Sequence, residues 1–364
     1  MKSKLLALAA LVLAGCGKPA APVTQEPSKP SAEATAPPVV AAAEPKRLSI
    51  FCWSEYIPQS VIDAFSDETG IKVSVENYAS NEEMLAKLMA GGGSYDLIQP
   101  SEYVVEGLIG ENALQPINHA QIPNLSNIAP QFVNMPFDPG NKFTVPYMAG
   151  TVGIVVNTEL VTDPITGFSD VFQEKYKGNI VVLDDAREIV TWAFKTLGIP
   201  PNEMTDENMA LAKPVLEKWL PLIKVYDSDS PKTALLNGDV AIGVVWGGEG
   251  AILLNTDKKF QWVLPKEGTH LFVDSLAIPK GAKHPNNAMQ FMNYILRPEV
   301  SKAISDEFPY LNPNREARAL LSEEARQNSA SFPPEEVVGR MILFKDIGGQ
   351  ASKVDEMVTS LKAQ

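Results

Sequence analysis

Several short stretches of this chain place aromatic rings beside carboxylates, and that pairing suits an organic cation. Ring faces attract a cation through their quadrupoles, and a carboxylate neutralises it. Trp53-Ser54-Glu55-Tyr56 closes a short apolar run. Asp185-Ala-Arg-Glu188 and Trp246-Gly-Gly-Glu249 follow two further apolar runs, and Phe272-Val-Asp274 opens another. Tyr310 stands in the Pro-rich segment Phe308–Asn314. Each set also has an ordinary structural reading. Trp53 and Tyr56 suit a core edge with Glu55 in solvent. Asp185 and Glu188 have the spacing of a helix N-cap and its N3 partner. Trp246 suits a core and Glu249 a helix dipole, while Tyr310 argues neither way. Asp274 is different, because a carboxylate inside an apolar strand is costly unless it meets a partner.

Catalytic templates are missing. His119, His270 and His284 are scattered without metal-ligand spacing, and there is no Gly-x-Ser-x-Gly elbow, P-loop or dinucleotide fingerprint. Gly91-Gly-Gly-Ser94 follows a helical pattern, a poor position for a phosphate cradle. Cys52, at the end of an apolar run, reads as a small buried side chain. No cofactor and no metal are therefore expected. A formal charge of −13 repels nucleic acid and favours cations.

The elements that must position these residues alternate in period. Leu48–Phe51 reads as a buried strand, with Pro58 opening a helix whose face is Ile57, Val61, Ile62 and Phe65, and Gly70 stopping it. Ile71–Val75 alternates as a strand, Ser80–Glu83 is a capping box, and Asp96–Pro100 is a further short strand leading to Ser101 and Tyr103. This βαβαβα order predicts an α/β layer with a mostly parallel sheet. Pro146–Val156 is a long apolar run, and a second series follows: a strand at 180–183, a helix through Trp192, a helix over 207–223, and strands at 241–246 and 272–278.

The amino terminus is of another kind. Residues 1–15 carry Lys2 and Lys4 ahead of a short apolar stretch, and Leu13-Ala-Gly-Cys16 resembles the bacterial lipobox. That resemblance implies cleavage before Cys16 and its lipidation. Residues 16–46, rich in Pro and Ala without aromatics, read as an extended tether. The expected membrane association is by lipid anchor only.

Phe51-Cys-Trp-Ser-Glu-Tyr-Ile57, Glu68-Thr-Gly-Ile-Lys-Val73, Tyr95-Asp-Leu-Ile98, Pro100-Ser101, Pro146-Tyr147, Asp185-Ala-Arg-Glu188, Trp262–Gly268, Asp274–Pro279 and Leu296-Arg-Pro298 together resemble the spermidine/putrescine-binding proteins of bacterial ABC importers. The likeness runs from about Leu48 to Asn314. It implies a two-lobed periplasmic-binding-protein fold, type II-like, with a polyamine in the cleft between lobes. The first lobe would hold 47–152 and a return at 273–315, the second 153–272, with a helical tail over 316–364. Carried over by position, Trp53, Tyr56, Trp246, Phe272 and Tyr310 would box the ligand. Glu55, Asp185, Glu188, Glu249 and Asp274 would pair with ammonium groups, and Ser54, Ser101 and Tyr103 would supply hydrogen bonds or walls. Asp185 matches spermidine-preferring members, whereas Glu249 matches putrescine-preferring ones and Phe272 replaces a tryptophan of some spermidine binders. Thr359 falls about where some members place a ligand-contacting glutamine. The resemblance implies a monomer that does no chemistry, lies in the periplasm or on the outer face of the cell membrane, and hands its amine to the permease subunits of an importer. The alternatives are a sensor for a signalling partner, a secreted enzyme acting on a cation, and a binder of iron or an oxyanion.

Overall fold

The computed structural model describes residues 44–91, 95–338 and 341–364, so the lipobox-like motif and most of the expected tether lie outside the described residues. Among the described residues the strands are β1 (Arg47–Trp53), β2 (Lys72–Tyr78), β3 (Leu97–Ile98), β4 (Thr144–Asn157), β5 (Ile180–Val182), β6 (Val225–Tyr226), β7 (Ile242–Trp246), β8 (Phe260–Val263) and β9 (Leu271–Ala277). They run in the order β2-β1-β3-β9-β4-β7-β5-β6, with β8 also on β4. Two parallel sets, β2-β1-β3 and β7-β5-β6, thus flank an antiparallel centre.

β4 holds the two halves together. Its sequence is nearly all apolar or β-branched, and all 14 of its residues are buried, as expected for a strand covered on both faces. At about 3.3 Å per residue it spans roughly 46 Å, long enough to serve both halves. Thr144–Thr151 pairs with β9, and Val152–Asn157 pairs with β7 and β8. The two lobes have separate cores. One gathers Phe65, Phe132, Phe291 and Met292, and the other gathers Phe168, Trp192, Phe194 and Leu216.

Local chemistry follows the expected signals with small shifts. Pro58 is the N-cap of helix Gln59–Thr69, one residue before its expected place, and Gly70 closes that helix at φ +71°, where a Cβ would be strained. Ser80 caps helix Asn81–Met89 by accepting from the Glu83 N–H at 3.1 Å, but Glu83 returns to the Ala79 N–H and not to Ser80. The 207–223 helix ends at Trp219 and tightens into a 3₁₀ turn. β6 and β8 have no counterpart in the sequence reading. In the carboxyl-terminal segment, helix Gln350–Lys362 buries Val354, Val358 and Leu361 in the second core.

Candidate ligand-binding cleft

Asp274 lies on β9, 2% exposed, and it does have partners. Tyr56 Oη donates to its Oδ2 at 2.7 Å, and Ser101 Oγ donates to its Oδ1 at 2.6 Å. Burial raises the Asp274 pKa to about 7, with these two hydroxyls pulling the other way. Tyr56 reaches it because β1 ends at Trp53, whose Nε1 donates to the Gln99 carbonyl at 3.1 Å, and because Glu55 turns the chain at φ +52°. Asn81 extends the network, donating to Ser101 Oγ at 3.0 Å and to Tyr103 Oη at 2.9 Å.

The facing wall is built on helix Ala186–Leu197. Asp185 caps it, its Oδ1 accepting from the Glu188 N–H at 2.9 Å, and it also lines the cleft. The capping role and the cleft position are therefore compatible. Burial first, then the neighbouring Glu188, raises Asp185 to about 7. Glu188 is engaged: His270 Nδ1 lies 2.6 Å from its Oε1, and Trp192 Nε1 donates to its Oε2 at 3.2 Å. The other imidazole nitrogen of His270 lies 2.7 Å from Glu102 Oε1. With both nitrogens on carboxylates the ring is an imidazolium. Burial alone would lower its pKa, but Glu102 and Glu188 outweigh that and raise it to about 10. Phe344 stacks on His270 at 3.6 Å and carries the Arg187 guanidinium 4.7 Å from its ring centre.

Aromatic rings fill the rest. Trp246 meets Phe272 edge-on at 5.4 Å, and Tyr310 lies 5.2 Å from Tyr56 and 6.2 Å from Phe272. Two glycines make room for them. A Cβ on Gly150 would sit 2.4 Å from Phe272, and one on Gly248 would sit 2.4 Å from Tyr310. The Gly247-Gly248 pair is thus a place of close approach and not a flexible joint.

The result is a cleft of about 600 Å³, counted out to its solvent-filled mouth. Every expected ligand-contacting residue lines it except Glu55 and Glu249. Those two meet at Lys232, whose Nζ lies 2.7 Å from Glu55 Oε2 and 2.9 Å from Glu249 Oε1. Burial raises Glu249 to about 7, and Lys232 opposes that rise. Thr359 is exposed and is not on the cleft wall; Phe344 represents the carboxyl-terminal segment there. Cys16 lies outside the described residues. Among those described, no cluster of His, Cys, Asp or Glu side chains is placed to hold a metal ion. Buried Cys52, its thiol pushed up to about 12 by burial, is no nucleophile at neutral pH.

A charged, ring-lined cleft at the junction of two halves of one sheet fits what comparison finds. The family model described as bacterial extracellular solute-binding protein matches residues 60–333. The chain belongs to this family. The spermidine/putrescine-binding periplasmic protein of Escherichia coli K12 is 36% identical over 319 residues, covering 87% of this chain and 91% of the relative. Among solved structures, the spermidine/putrescine ABC transporter substrate-binding protein of Streptococcus pneumoniae is similar at 32% identity and a TM-score of 0.74, over 87% of this chain and 99% of that one. A lipoprotein of Treponema pallidum is similar at 26% identity and a TM-score of 0.78, over 87% of this chain and all of that one.

Within this solute-binding fold the sequence reading missed several lining residues: Ala79, Asn81, Ser228, Asp229, His270 and Phe344. Asn81 and Asp229 are single polar residues in loop-like or capping contexts, which carry no distinguishing signal. His270 had one, since it stands two residues before Phe272, and alternate residues of an extended segment share a face.

Proposed function

We propose that this protein binds a linear polyamine in the cleft and delivers it, chemically unchanged, to an ABC importer. The observation that carries this reading is Asp274, a buried carboxylate held by two hydroxyls at a ring-lined cleft with Asp185 on the facing wall. An ammonium group entering there replaces the missing positive charge, and the methylenes between ammonium groups lie against Trp53, Trp246, Phe272 and Tyr310. Ser54, Ser101 and Tyr103 supply hydrogen-bonding walls, and the ligand joins the lobes by touching both. We read the lobe boundaries near residues 152 and 272, where β4 changes partners and β9 begins. The names of the Escherichia coli and Streptococcus relatives support the ligand class and a periplasmic or cell-surface place. The lipobox-like Leu13–Cys16, together with the lipoprotein relative, supports a lipid anchor at Cys16. The expected cargo leaves as it came.

Thermal unfolding with and without amine tests this reading. A ligand present at 100 times its Kd stabilises the folded state by about 2.7 kcal/mol, so putrescine or spermidine should raise Tm by several degrees while phosphate and ferric ion do not. Mass spectrometry after prolonged incubation should return the amine unaltered. A stabilising oxyanion, or an amine consumed at enzyme-like rates, would refute the proposal.

A further inference from the structure

Lys232 occupies a position the polyamine reading leaves unexplained. It opens helix Lys232–Leu236 in the second half of the molecule, and its Nζ touches Glu249 Oε1 at 2.9 Å, Ser230 Oγ at 2.9 Å and, across the cleft, Glu55 Oε2 at 2.7 Å. Its backbone N–H also donates to Glu249 Oε2 at 3.2 Å. Lys232 is 13% exposed and Glu249 2%, so this is a desolvated pair; Glu55 is 44% exposed at its rim. The supporting loop is tied down, with Asp227 Oδ1 accepting from the N–H groups of Asp229 and Ser230 at 2.9 and 3.0 Å. On the other side Ser54 bonds Asp229, a second contact across the same end of the cleft. Ser54, Asp229, Trp246 and Tyr310, which flank the ion cluster in sequence or space, all line the cleft. The cluster therefore caps one end of it.

We propose that Lys232 is a built-in ammonium that limits how many ammonium groups a ligand can place in this cleft. The inference rests on the polyamine reading and deepens it. An ammonium attached to the chain meets Glu55 and Glu249 at an effective concentration in the millimolar range or above, which a free amine at ordinary concentration does not match. Burial disfavours the charge on Lys232, but Glu249 and Glu55 outweigh that and hold the ammonium protonated. Two of the five carboxylates assigned to the ligand are thereby spent internally. Glu188 already has a cation in His270, which leaves Asp185 and Asp274, with Asp229 at the capped end. That set matches a ligand with two well-held charges, and any third or fourth ammonium group meets Lys232 instead of a free acid. Specificity here is a difference of affinities, set by an element that repels the longer amine.

The test is isothermal titration of putrescine, spermidine and spermine, with two, three and four ammonium groups, into the purified protein and two variants. Lys232→Met removes the charge at similar length. Lys232→Gln removes it while keeping a donor for Glu249, so the buried acid stays hydrogen-bonded where the first variant fails to fold. In both, Glu55 and Glu249 become available, and the affinity for spermine relative to putrescine should rise by about tenfold or more, the worth of one charge-assisted contact. A purely structural ion pair would shift all amines together or none. A relative gain below about threefold in the folded variants overturns the inference, even with the wild type binding amines. No binding of any amine by the wild type is a different result, and it overturns the polyamine reading along with this one.

Discussion

Asp274 and Glu55 are both acids assigned to the same ligand, yet their surroundings set them far apart. Asp274 is buried and held by two hydroxyls, whereas Glu55 is half-exposed and spent on Lys232. Truncating one partner of a desolvated charge pair costs about 2–5 kcal/mol, so Asp274→Asn should weaken polyamine binding by that order and Glu55→Gln by less than about 1 kcal/mol. Calorimetry on the two variants checks it; equal losses would mean that Asp274 is not the dominant acid. Trp53→Ala and Trp246→Ala should each cost about 1–2 kcal/mol through lost cation–π contact. The pH response follows from the same carboxyls. Burial raises Asp274 and Asp185 to about 7, so at pH 5 each must lose a proton before it can pair. Affinity should therefore rise with pH up to about 7, by up to about tenfold per pH unit for each group, and flatten above pH 8 while an amine of pKa about 10 stays charged. Titrations at pH 5, 6, 7 and 8 would show it. A flat profile would place both protons elsewhere. Of these residues the sequence marked Asp274 plainly, since an acid in an apolar strand needs a reason. The engagement of Glu249 was not legible, because Lys232 lies seventeen residues away at the start of a five-residue helix, with nothing in its own neighbourhood to point there.

At the scale of elements, His270, the residue just before β9, ties that strand to the helix Glu102–Gly110 through Glu102 and to the helix Ala186–Leu197 through Glu188. Its pKa rises from 6.5 to about 10 on folding. The stability this contributes is fully present below pH 6.5 and is lost as pH rises through 10. His270→Gln leaves two buried carboxylates without their cation and should destabilise the protein by about 3–5 kcal/mol at pH 6, with a smaller penalty at pH 10. Denaturant unfolding at both pH values measures this, and an equal penalty at each would show that the ring is neutral. The cause of the long buried run at β4 was visible in its composition, as was the βα alternation on either side. The antiparallel centre was not, because an apolar run specifies burial and not the direction of its neighbour. β6 and β8 are too short, at two and four residues, to carry a period.

For the whole molecule, two lobes share β4 and line one cleft, and the proposed reading has a ligand that touches both joining them. The proposed lipid anchor belongs to this scale as well. Cys16→Ser should move the protein from the membrane to the soluble fraction without changing its amine affinity, which fractionation and titration together would establish. The family and the two-lobed plan were readable from many short motifs in a fixed order, whereas the docking of Phe344 and of the last helix depended on contacts formed only after the lobes assemble. The central claim is that a single cleft holds one polyamine through Asp274. Calorimetric titration of spermidine and putrescine into the purified protein and into Asp274→Asn, at one fixed salt concentration and pH 7.5, tests it most directly. The account predicts one saturable site per chain in the wild type and a loss of at least about thirtyfold in the variant. Saturable binding that is indifferent to Asp274→Asn, or no binding at all, would contradict it.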